Sequence, residues 1–136
     1  MIKKKVFIFL LSFLILRFEN IMANDPYDND LSGKNLICYT NSDSIDDWGL
    51  KFLADREVIL YSLDKFIYEI FQYKRTYRTN LRKIMIFKGN DIEFNINRKT
   101  LRFGNKNCKL DKNDPKILLE KRIQELKDEK TKSNKI

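Results

Sequence analysis

The chain has 136 residues, a formal net charge of +8, 34% charged and 43% hydrophobic residues, two cysteines and no histidine. Without imidazole, Ser-His-Asp and Cys-His catalysis and histidine-ligated zinc or copper are excluded, and the four glycines form neither a phosphate-cradling loop nor a G-x-S-x-G elbow. Carboxylate pairs such as Asp46 with Asp47, or Asp91 with Glu93, fall at predicted turns or on a solvent face, so the expectation is a protein that is not an enzyme and uses no cofactor or metal.

Lys3, Lys4 and Lys5 precede an apolar run, Val6 to Leu16, interrupted only by Ser12. A cationic head before a short apolar segment is the pattern of a secretory signal. Eleven residues of helix span only about half of a bilayer core, which argues against a stable transmembrane span. The expected cut follows Ala23, giving a signal peptide over residues 1–23 and a periplasmic or secreted mature protein, with an uncleaved anchor as the alternative. Lys3, Lys4, Lys5 and Arg17, set against Glu19, carry three of the formal positive charges, so part of the basicity belongs to the export signal.

Residues 24–35 read as a polar N-terminal linker. Asp28, Asp30, Ser32 and Gly33 match the first half of a calcium loop, but Asn35 and Tyr39 stand where an apolar residue and a bidentate Glu are needed, so no calcium site is expected. Leu36 to Tyr39, Trp48 to Leu53 and Glu57 to Ser62 are short apolar and aromatic runs bounded by polar residues, and read as strands. Residues 66–73 are ambiguous, because Leu63, Phe66, Ile67, Ile70 and Phe71 fall at helical spacing; the aromatic and β-branched composition favours a strand. Lys83 to Phe87 is a further strand, joined through Lys88, Gly89, Asn90 and Asp91 to the alternating Ile92, Phe94 and Ile96. Leu101 and Phe103, flanking Arg102, are expected to pair back onto that strand as a hairpin and complete a three-strand meander.

Asp114 can cap a helix, Pro115 suits its first turn, and Leu119, Ile123 and Leu126 share one face. The sequence therefore predicts a mainly β fold: an antiparallel domain over residues 36–112, built as a six- to seven-strand meander or small barrel-like sheet. A C-terminal helix over 113–130 and a disordered tail over 131–136 follow it.

The two cysteines allow one intramolecular bond, Cys38 to Cys108, and an oxidising compartment permits it. Closing a loop of roughly 70 residues stabilises a fold by about 4 kcal/mol in the chain-entropy model. The alternative is two buried thiols on separate strands.

The candidate ligand-binding residues are Tyr73, Arg75, Tyr77, Arg78, Arg82 and Lys83, from an acid-free stretch that would place Tyr73, Arg75 and Tyr77 on one strand face. Interleaved guanidinium and aromatic groups suit anionic or sugar-like ligands. A second acid-free stretch supplies Arg98, Lys99, Arg102, Lys106 and Lys109, and the two together would form one basic face. The alternative is a solvated face that keeps the sheet edges unpaired. Trp48, the only tryptophan, is either a core residue or a binding anchor.

A cysteine in the first mature strand, a second about seventy residues on, and the Lys88-Gly89 step before a late strand make the layout resemble membrane-bound inhibitors of c-type lysozyme. The similarity covers roughly Leu36 to Cys108. It implies a disulfide-clasped antiparallel sheet and, as one function, inhibition of an envelope-attacking enzyme. The Ser-Gly-Ala segment which that family uses has no counterpart here, so no functional residue carries over. The leading expectation is a non-enzymatic binding protein of the periplasm or envelope. Its partner would be an envelope protein, an anionic polymer or a lipid surface, and not nucleic acid.

Overall fold

The computed structural model describes residues 26–42 and 44–133. The expected signal peptide, residues 1–23, lies outside them, as do residues 134–136 of the expected tail. Eight strands precede one helix: β1 Asn35–Tyr39, β2 Asp47–Phe52, β3 Glu57–Asp64, β4 Glu69–Thr79, β5 Lys83–Lys88, β6 Asp91–Asn97, β7 Arg102–Phe103, β8 Lys106–Asp111 and α1 Pro115–Ser133. All pairings are antiparallel, in the order β6-β5-β4-β3-β2-β1-β8-β7. The two ends of that ladder, β6 and β7, are joined by four residues, and Phe94 stacks on Phe103 with ring centroids 4.7 Å apart. The sheet therefore curls into a nearly closed barrel.

This is the mainly β domain with a C-terminal helix that the residue pattern predicts, with eight strands where six or seven were expected and with further local differences. The expected hairpin of residues 92–103 does not form, because β7 leaves β6 at a turn closed by the Leu101 N–H on the Asn97 carbonyl and pairs with β8 instead. The expected strand over 66–73 begins only at Glu69: the Asp64 carboxylate accepts the Phe66 N–H at 2.8 Å, and Tyr68 takes a positive φ of 55°, so residues 65–68 make a turn. Finally, α1 continues to Ser133, past the expected end at 130.

Two apolar layers follow from strand alternation. Inside the barrel lie Leu36 and Cys38, Leu50 and Phe52, Val58 and Leu60, Tyr77, Ile84, Ile86 and Ile96. Cys38 and Cys108 are cross-strand partners on β1 and β8, 4.0 Å apart at Cα and joined as a disulfide. On the outer face Ile37, Tyr61 and Leu63 meet Leu119 of α1, with Ile123 and Leu126 alongside. Gly49 permits this approach, since a Cβ there would stand 2.6 Å from the Pro115 Cβ. Asp114 caps the helix by accepting the Lys116 N–H at 2.9 Å and bonds the Lys51 ammonium at 2.8 Å, which holds its carboxyl below the usual range.

Residues 26–34, read as a linker, close one end of the barrel. Leu31 enters the core and its N–H bonds the Tyr77 hydroxyl at 2.8 Å. Asp28 accepts the Thr79 N–H at 3.0 Å, and the Arg98 guanidinium bridges the carbonyls of Tyr27 and Asn80.

Near the other end, Asp47 is fully buried and gathers three elements. One carboxylate oxygen accepts the Thr40 N–H at 2.7 Å and lies 3.0 Å from the Lys65 ammonium, itself only 3% exposed. The other oxygen meets Arg122 Nε of α1 at 3.3 Å. Lys65 is also satisfied by the Thr40 carbonyl and hydroxyl and the Ser42 carbonyl. Removing one partner of such a pair strands the other charge in a low-dielectric site, at a cost of about 3–5 kcal/mol. Asp47→Asn is expected to destabilise the protein by about that amount in urea unfolding at neutral pH; a change under about 0.5 kcal/mol, the scale of a neutral surface substitution, would show that the cluster is not structural.

Candidate functional site

Strand register decides which side chains share the interior at the end opposite the plug. Cys108, Cys38, Trp48, Ser62 and Phe71 form one cross-strand row over β8, β1, β2, β3 and β4. Cross-strand partners point to the same face, so Phe71 stands on the concave side with Trp48. The next row carries Tyr73 opposite Leu60, and the one after it Arg75 opposite Val58. Phe71 and Tyr73 are each 40% exposed although they face inward. The cause is the length of β4: β5 pairs with it only from Thr76 to Thr79, so the first half of the strand extends beyond its neighbour and the barrel is open there.

The floor of this opening is aromatic. Trp48 meets Phe94 edge-on at 6.0 Å and Phe103 at 6.3 Å, and all three pack against the barrel core. Lys106, two residues before Cys108 and therefore on the same face, lays its ammonium 4.8 Å from the Trp48 ring centre and 5.3 Å from that of Phe103. Burial pushes its pKa below the ordinary 10.5, opposed by the carboxylates of Asp46 and Asp47. Among the described residues no carboxylate lies within ion-pairing distance of it. The Trp48 indole N–H is buried and finds no acceptor there either. At the rim, Arg75 donates to Glu93 at 2.7 Å and stacks over Tyr73 at 5.2 Å, while the Ser62 hydroxyl holds Asp46 at 2.9 Å.

The predicted binding residues separate in space. Tyr73 and Arg75 stand at the opening. Tyr77 is a core residue, 1% exposed, its hydroxyl engaged with Leu31 and Asp30 at the plugged end. Arg78 is exposed on the opposite face of β4, in a groove with Arg56, Phe87 and Gly89. Arg82 lies in the β4–β5 turn and Lys83 opens β5, and the N–H groups of both bond the Asn80 side chain. Of the second stretch, Arg98 is occupied in holding the plug, Lys99, Arg102 and Lys109 are exposed, and only Lys106 reaches the opening. Each stretch thus sends one cation to the interior face, Arg75 from β4 and Lys106 from β8. Phe94 and Phe103 emerge as site residues through their rings, having been legible in the sequence only as alternating apolar positions.

No cluster of three or more metal-ligating side chains occurs among the described residues, and none of their helices is long and apolar enough to cross a membrane. No protein-family model, curated protein or solved structure matches the chain.

Keeping a desolvated cation over an aromatic floor opposes folding. Because its folded pKa is lowered, the folded chain binds fewer protons than the unfolded one, so this group makes stability rise with pH between the lowered value and 10.5. Lys106→Met, which keeps the stem and its contact with the rings, is expected to match or exceed the parent in unfolding midpoint at pH 7. A lowered midpoint would make Lys106 a structural residue.

Proposed function

We propose that this protein is an exported, non-enzymatic binding protein that holds an anionic partner of the cell envelope at the open end of its barrel. The observation that carries the reading is Lys106: an ammonium laid on the faces of Trp48 and Phe103, partly desolvated, with no carboxylate in contact among the described residues. An anion bound there would supply the missing counter-charge inside a partly dry site, where a charge pair is worth more than in water. Phe71 and Tyr73 add exposed flat surfaces, bordered by Arg75 in its pair with Glu93. Rings beside cations suit an acidic sugar polymer, whose apolar faces stack while its carboxylate, phosphate or sulfate groups pair. Export fits the cross-strand disulfide between Cys38 and Cys108, a bond that persists in oxidising compartments.

The test uses the oxidised protein with three probes: dextran sulfate, neutral dextran and poly-L-glutamate. Dextran sulfate is expected to bind best, with an affinity that falls steeply as salt rises. Lys106→Met should weaken it by about tenfold or more, equivalent to about 1.4 kcal/mol, whereas Arg78→Ala, on the opposite face, should leave it unchanged. Parent-like binding by the Lys106 variant, or binding indifferent to salt, would overturn the proposal.

A further inference from the structure

The turn between β3 and β4 holds two bulky apolar side chains out of the fold. Phe66 is 73% and Ile67 53% exposed, yet the backbone that carries them is fixed. The Asp64 carboxylate accepts both of their N–H groups, at 2.8 and 3.4 Å, and Lys65, just before them, is pinned by the oxygens of Thr40, Ser42 and Asp47. Tyr68 ends the turn with its positive φ and a half-buried side chain. The last turns of α1 reach the same place. Lys130 continues the helix face of Leu119, Ile123 and Leu126. With Lys127 it stands at the Tyr68 ring, the two ammonium groups 6.0 and 5.5 Å from the ring centre. An open groove between turn and helix is lined by Phe66, Tyr68, Leu126, Glu129 and Lys130.

We propose that this corner docks on an anionic lipid surface, with Phe66 and Ile67 entering the acyl boundary and Lys127 and Lys130 meeting lipid phosphates. The side chains follow the layers of such a surface: exposure falls from Phe66 and Ile67 to Tyr68, and the cations stand beside that ring. Amphipathic rings settle at headgroup level, and lysines near an anionic leaflet are drawn to it. Both cations are available. Among the described residues no carboxylate lies within ion-pairing distance of Lys127 or Lys130. Of the acids nearby, Asp64 is occupied by the turn, Asp128 accepts from Gln124 at 3.0 Å, and Glu129 lines the groove. The end of α1 carries Lys127, Lys130 and Lys132 against Asp128 and Glu129, a positive balance. A convex apolar tip also suits a fluid bilayer, which closes round it, whereas a protein partner would need a matching pocket. The corner shares no residue with Lys106 or the aromatic floor, so the inference stands apart from the reading of the barrel opening.

Cosedimentation of the oxidised protein with vesicles tests this, phosphatidylcholine alone being set against phosphatidylcholine mixed with phosphatidylglycerol. Binding to the mixed vesicles that weakens as salt rises is the expected result. Phe66→Ser combined with Ile67→Ser should lower it by about tenfold or more, with an unchanged urea midpoint, since neither side chain belongs to the core. Lys127→Gln combined with Lys130→Gln should abolish the preference for anionic vesicles. Should the serine variant misfold, Phe66→Trp keeps a large ring at the tip, and the emission it adds to that of Trp48 should be quenched by brominated lipid. Lys106→Met should leave vesicle binding unchanged. A chain indifferent to vesicles overturns the inference, as does vesicle binding that survives the serine substitutions or is lost with Lys106→Met. Self-association through Phe66 and Ile67 without lipid binding overturns it too.

Discussion

The buried carboxylate of Asp47 is the constraint from which the arrangement of the open end follows. Its two oxygens face in two directions, one to Thr40 and Lys65 and the other to Arg122, so a single side chain ties the β1–β2 loop, the β3–β4 turn and α1 to one point. A charge held without solvent requires every partner in place, which fixes the positions of all three. The neighbours of Asp47 in sequence, Asp46 just before β2 and Trp48 within it, turn to the opposite side and are thereby set at the opening. Asp46 is held by Ser62 at the rim, and Trp48 makes the floor. Lys65 has no freedom to act elsewhere: four oxygens surround its ammonium.

The two ends of the barrel differ, and this difference locates the candidate site. At one end the chain itself supplies a plug, with Leu31 in the core and the backbone polar groups of residues 27–31 bonded to Tyr77, Thr79, Arg56 and Arg98. At the other end no described segment does the same. There β4 outgrows β5, and the interior face of the longer strand carries aromatic and cationic side chains where a continuous barrel would carry aliphatic ones. The cross-strand disulfide and the helix packed over Gly49 stiffen β1, β2 and β8, the strands that carry Trp48 and Lys106. The site thus rests on the rigid part of the sheet and opens toward its less supported part.

Much of the fold was legible because the apolar residues alternate. β3, β5 and β6 are recoverable from Val58, Leu60, Ile84, Ile86, Phe94 and Ile96, and α1 from Pro115, Leu119 and Ile123. β7 was legible as a strand at Leu101 and Phe103 but not its partner, and β8 was not legible, because Lys106 to Asp111 holds few apolar residues and its pairing depends on long-range partners, above all Cys38. The turn at 65–68 was hidden by its own composition: Phe66 and Ile67 look like strand residues, yet stand 73% and 53% exposed because Asp64 takes the turn N–H groups. The site was half visible. Tyr73 and Arg75 follow from local alternation, but Tyr77, two residues on in the same pattern, is drawn into the core by the plug. A usable signal for Lys106 did exist: if the cysteines bond across two strands, both point inward, and a lysine two residues from Cys108 must point inward with them.

A partner held at the open end of the barrel arrives at Trp48 and Lys106. Trp48 is the only tryptophan, so its indole N–H gives a single resonance in a proton–nitrogen correlation spectrum. Titrating the oxidised, isotope-labelled protein with dextran sulfate should move that resonance together with the backbone amides of Phe103 and Lys106. An indole signal that stays fixed while amides on the opposite face, around Arg78 and Lys83, shift would contradict it.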